Sequence, residues 1–183
     1  MMPLAFRLRK QGFRANTFGY SSFFKSIQQH AEKFDRRLKQ LEASESIDRW
    51  HIVAHSMGSI ITRHLLCHRS YDKLGRVVML GPPNAGSAAA RRLSRLLPYS
   101  QTVRQISDDQ ESFVRGMPSP TDIEIGVVAA SYDRVVTECS SRLQTQRDHV
   151  TVYSGHNGLL VRRSAARQVI SFLRTGQFVR ADG

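Results

Sequence analysis

The chain has 183 residues, 40% of them hydrophobic, which suits one domain with a core of its own. No apolar run approaches the roughly 18–20 residues of a membrane-spanning helix, and no apolar segment follows the basic start Met1–Lys10 as it would in a signal peptide. The formal charge of +12, from 27 Lys+Arg against 15 Asp+Glu, attracts anions in general, but the arginines are scattered and show no zinc-finger, RNA-recognition or basic-zipper pattern, which argues against a nucleic-acid partner.

In chain order, Met1–Arg14 reads as the end of a helix, with Leu4 and Leu8 four apart and Gly12 as its stop. Phe13–Tyr20 reads as a short strand. Ser22–Ala43 reads as a helix, because Ile27, Ala31, Phe34, Leu38 and Leu41 recur at helical spacing and the opposite side is charged. Trp50–Ala54 is a strand and Met57–Arg69 a helix that carries Cys67, expected to be a buried thiol. Cys67 and Cys139 have no metal-ligand spacing, and neither metal nor cofactor is expected. Arg76–Leu80 is a continuous apolar run suited to a strand buried on both faces. The turn-rich loop Gly81–Ser87 follows, then a helix over Ala88–Leu97. Tyr99–Asp122 is irregular and polar, and residues about 98–122 are expected to form a lid or entrance loop, with surface padding as the alternative. Ile123–Ser131 and His149–Tyr153 read as the last strands, and Leu159–Leu173 as the closing helix.

Strands alternating with helices predict a single α/β domain over residues 1–183, a three-layer sandwich with a mostly parallel sheet. In such sheets functional residues gather where the strands end. The turn Val53-Ala54-His55-Ser56-Met57-Gly58 lies between a strand and a helix, with small residues two positions either side of the serine. That is the setting of a nucleophile elbow; the alternative is a serine that merely caps the helix. A serine hydroxyl needs a base, and the base an orienting carboxylate. His156 follows the final strand between Gly155 and Gly158, and Asp133 directly follows the strand before it. Asp148, the second choice of acid, precedes a strand and belongs at the opposite edge. His55 is expected to point away from the site. Met57 N–H, next to the nucleophile, is the expected oxyanion donor.

Together these segments resemble the α/β-hydrolase superfamily, and within it the lipase-like and GPI inositol-deacylase-like bacterial serine esterases. The resemblance runs through Gly12-Phe13 with Tyr20-Ser21, Ile52–Gly58, Leu80–Ser87, Ser131–Val136, His156–Leu160 and Phe172–Phe178. It implies Ser56 as nucleophile, Asp133 as acid, His156 as base and Met57 as an oxyanion donor, with carboxylic esters, often lipid-like, as substrates. Ala54 stands where the family has the first elbow glycine. Relatives also begin with a strand and a His-Gly loop that supplies the second oxyanion donor, and no His-Gly pair occurs here. The resemblance therefore implies an N-terminally shortened fold, weak activity or dependence on a partner strand, and self-association through an open sheet edge. A cytoplasmic location is expected. The alternative function is a non-catalytic hydrolase-fold binding protein.

Overall fold

A computed structural model describes residues 1–19, 25–97 and 99–180. The apolar runs become β1 (Trp50–His55), β2 (Leu74–Leu80), β3 (Glu124–Ala130) and β4 (Asp148–Val152). They form one sheet in the order β1-β2-β3-β4, every pairing parallel, with Ala54 beside Met79, Met79 beside Val127 and Val127 beside His149. Alternation along β2 sends Val77 and Met79 into one core and Val78 and Leu80 into the other, so a run without polar residues is what this strand requires.

Helices α2 (Ile27–Glu42) and α3 (Met57–Leu66) cover one face, while α1 (Met2–Arg9) and α8 (Arg163–Thr175) cover the other. The fold is thus the expected three-layer α/β sandwich. The stripe on α2 buries Ile27, Ala31 and Leu38, with Phe34 and Leu41 packed beside them. A capping box sets its start: Ser26 Oγ accepts the Gln29 N–H at 3.2 Å and Gln29 Oε1 accepts the Ser26 N–H at 3.0 Å. The expected start at Ser22, like Tyr20-Ser21 and Pro98, lies outside the described residues. Helix α8 buries Ala165, Val169 and Phe172 and ends at Gly176, whose φ of 76° is the left-handed cap that releases the chain.

Several expectations change. Residues 13–19 form no strand. The closing helix is broken in two: a 3₁₀ helix, His156–Leu160, turns on the Gly158 N–H bond to Gly155 O, and α8 begins only at Arg163. Between β2 and β3 lie α4 (Ala88–Leu96), α5 (Gln101–Gln105) and α6 (Phe113–Gly116). Val114 and Met117 of that stretch are buried in the core under α2 and α3, so it is anchored rather than padding. A further short helix, α7 (Glu138–Ser141), precedes β4. Cys67 is only half-buried, its Sγ 3.3 Å from Pro118 O. Among the described residues no helix is long and apolar enough to cross a membrane.

Where the strands begin, charges are paired. Glu124 accepts Arg76 Nε and Arg147 Nη1, each at 2.5 Å, and the same arginines donate to Leu173 O at 3.0 Å and Gly176 O at 3.1 Å. Asp148 sits at this edge too, bonded to Arg180 and to the Phe178 N–H, so it has no access to the opposite edge.

Candidate active site

The site is built where the strands end. Ser56 still belongs to the ladder, its N–H donating to Leu80 O at 2.9 Å, and yet its own carbonyl already accepts the Ser59 N–H of α3 at 2.9 Å. The chain must reverse within one residue. Ser56 therefore adopts φ 54° and ψ −128°, the only positive φ outside glycine among the described residues. Such a conformation costs about 1–3 kcal/mol and persists only where surrounding structure imposes it. The hydroxyl makes no capping bond, which removes the capping-serine alternative. Ala54, two residues earlier, is buried against Met79. Met57 N–H is the first donor of α3 and has no partner within the helix.

His156 arrives from the turn after β4. Its Nδ1 lies 2.7 Å from Asp133 Oδ2, and the two side chains are 10% and 1% exposed. Donation from Nδ1 to the carboxylate leaves Nε2 as the acceptor. The other oxygen, Asp133 Oδ1, accepts the N–H groups of Val135 at 2.8 Å and Val136 at 2.9 Å. Burial opposes the Asp133 charge, but the His156 bond and these two amides outweigh it and hold the carboxyl below its usual range. This accounts for the Asp-x-Val-Val segment: the valine amides aim the carboxylate.

Three contacts seat His156 beside the elbow. Its ring packs on that of His55 with centroids 4.7 Å apart, its carbonyl lies 3.2 Å from His55 Nε2, and it lies over Gly81, where a Cβ would come within 3.1 Å of Nδ1. Gly81 has φ 53° and follows the Leu80 whose carbonyl holds Ser56. The expectation that His55 points away is therefore corrected. Burial, then the nearby His156, pushes its pKa down to about 4, so it stays neutral at physiological pH.

Arg63 was not anticipated. It lies in the apolar run of α3, is 5% exposed, and among the described residues has no carboxylate partner. Its guanidinium instead donates to Pro118 O at 2.9 Å, Asn84 O at 3.0 Å and Met117 O. Asn84 Nδ2 in turn donates to Ser141 O at 2.8 Å, and Ser87 Oγ to Val135 O at 2.6 Å. The Gly81–Ser87 loop thus ties the helix behind Ser56 to the turn that carries Asp133. A polar residue inside an apolar helical run was the only local sign of it.

A cavity of about 290 Å³ runs along the outer edge of β1, lined by the consecutive residues His51–His55 and by Phe18, Phe34, Leu38 and Ile61. Trp50 and Ser56 both donate their N–H groups toward β2, so strand alternation turns the main-chain groups of His51, Val53 and His55 to this open side. Among the described residues no group of three or more His, Cys, Asp or Glu is arranged to hold a metal ion.

No protein-family model matches the chain, and no curated protein matches it by sequence. Solved structures do. A Bacillus licheniformis lipase, BlEst2 in its mature form, is similar with a TM-score of 0.60 at 16% identity, over 82% of this chain and 74% of that one. A Paleococcus ferrophilus monoacylglycerol lipase gives 0.67 at 14% identity, over 93% and 86%. Phospholipase PlaB from Legionella pneumophila gives 0.53 at 18% identity over 76% of this chain, which spans only 40% of that protein. This is an α/β-hydrolase fold. In this α/β-hydrolase fold Ser56, Asp133 and His156 all lie past the carboxyl ends of their strands, and Asp148 lies at the other edge.

Proposed function

We propose that the chain is a serine hydrolase of carboxylic esters, with Ser56 as nucleophile, His156 as general base, Asp133 as the orienting acid and Met57 N–H as an oxyanion donor. The observation that carries this reading is the buried His156–Asp133 pair, its imidazole packed on His55, the neighbour of a serine held at positive φ. His156 Nε2 takes the Ser56 proton as Oγ bonds to the ester carbonyl carbon. Negative charge gathers on the carbonyl oxygen and is met by Met57 N–H. The imidazolium, steadied by Asp133, then protonates the departing alkoxide, leaving an acyl-serine. Water, deprotonated by His156, attacks that acyl group, and the acid leaves as Ser56 regains its proton. No cofactor takes part.

Lipase neighbours support lipid-like esters as substrates, with residues 99–122 as the covering segment. Met57 is the one oxyanion donor assigned, and turnover is expected about 10²–10³ below that of a site with two. The cavity beside β1 is read as a slot for a partner strand rather than for an acyl tail, because a hydrocarbon would leave main-chain groups of β1 without partners. The experiment is covalent labelling by a fluorophosphonate, alongside hydrolysis of a short p-nitrophenyl ester. Wild type should label at Ser56, and Ser56→Ala should lose both labelling and about 10⁴–10⁶ of kcat. Equal labelling of the variant, or none of wild type, favours the non-catalytic binding protein.

A further inference from the structure

On the face opposite the α2/α3 layer, α1 and α8 enclose a groove of about 590 Å³, the size of a small-molecule site. Four cationic side chains line it: Arg7 from α1 and Lys10 just past its end, Arg163 and Arg167 from α8. No carboxylate lines it, and among the described residues none of the four has an ion-pair partner. The arrangement is electrostatically unfavourable in three ways. Arg163 and Arg167 are like charges four apart on one helix. Both stand in the first turns of α8, which holds no acidic residue and where the helix dipole is itself positive. Arg7 Nη1 is shielded from solvent and has no hydrogen-bond acceptor among the described residues, a state that folded proteins rarely leave uncompensated. Apolar surface accompanies the charge: Phe6, 57% exposed with Lys10 Nζ 4.8 Å from its ring centre, and Ile170.

We infer that this groove binds an anionic amphiphile, its phosphate or carboxylate head held by Arg7, Arg163 and Arg167 and its chain lying along Phe6 and Ile170. One anion relieves both charge penalties of α8 at once, and bidentate guanidinium contacts suit a phosphate or carboxylate. The apolar lining selects an amphiphile over a bare ion. Arg163 opens α8 just past the 3₁₀ helix that begins with His156, so the groove starts on the side of the molecule that carries the candidate active site. The inference does not depend on the hydrolase reading.

The test measures binding of dodecyl phosphate, below its micelle concentration, to the full chain by calorimetry, and flotation with phosphatidylglycerol-containing or pure phosphatidylcholine vesicles. Arg163→Gln/Arg167→Gln should weaken dodecyl phosphate binding at least about tenfold, and Arg163→Lys/Arg167→Lys, which keeps the charge but not the bidentate fork, should fall between wild type and the Gln pair. Arg36→Gln/Arg104→Gln, which removes the same charge elsewhere, should stay within about twofold. Inorganic phosphate should bind far more weakly than dodecyl phosphate. Flotation that is lost in the Gln pair places the amphiphile in a bilayer; binding of the monomer alone makes it a soluble one; both support the groove. Absent binding in both assays, equal losses in the two Gln pairs, or a site that takes single-stranded DNA in preference to dodecyl phosphate would overturn it.

Discussion

Where β2 and β3 begin, Glu124 lies between Arg76 and Arg147, and the same arginines reach main-chain oxygens of the α8 end, so every charge has several partners. Where β3 and β4 finish, Asp133 also has several partners, but its imidazole partner keeps one nitrogen uncommitted, next to a serine in a costly conformation. Each end even has a glycine at positive φ pressed against one member of its pair: Gly176 against Glu124, Gly81 against His156. The same devices of paired charge and left-handed glycine serve cohesion at one end and reactivity at the other. The difference lies in what is left unsatisfied.

The largest effect should come from neutralising the acid at each end. Asp133→Asn is expected to lower kcat by about 10⁴ while the fold persists, because the imidazole loses its orienting charge. Glu124→Gln should leave kcat within about twofold and cost about 1 kcal/mol in urea denaturation, as half-exposed pairs do. A catalytic loss from Glu124→Gln would break the contrast.

Next in size is the acid response of His55. Unfolded, it binds a proton below its ordinary value of 6.5; folded, it resists until about 4. Between these values the unfolded state holds more protons, so stability falls as the pH drops and the loss levels off below about 4. The total is on the order of 3 kcal/mol, and urea titrations at several pH values should show it vanish in His55→Leu. Asp133 adds a separate component: its carboxyl is depressed, so its contribution is present above the ordinary carboxylate range and disappears as the pH falls below it.

The smallest effects are those of the two glycines. Gly81→Ala and Gly176→Ala should each destabilise by about 1–2 kcal/mol through the positive φ. Only Gly81→Ala should also lower kcat, because its new methyl displaces the His156 ring. Equal catalytic loss in both would mean that the two ends are coupled.

The reactive end was the more legible in sequence. Strand runs such as Arg76–Leu80 announce themselves by composition, and once their ends are placed, Ser56, Asp133 and His156 fall on one edge and Asp148 on the other. What stayed hidden depends on contacts distant in sequence. Residues 13–19 have strand-like alternation but no ladder partner. Arg63 looks misplaced in an apolar helix until its acceptors arrive from Asn84, Met117 and Pro118. Local geometry turns His55 away from the site, yet a ring at a strand end can lean onto the next loop, as it does here onto His156. The break before α8 leaves no local mark, because the apolar spacing of Leu159 and Leu160 continues across it.

The strand that delivers the nucleophile is an edge strand, and among the described residues no strand pairs with its outer side. Deuterium should therefore enter β1 in a zigzag: quickly at the amides of His51, Val53 and His55, slowly at those of Ile52 and Ala54. A segment that settled along that side would slow the fast set alone, writing its arrival into the very strand that ends at Ser56.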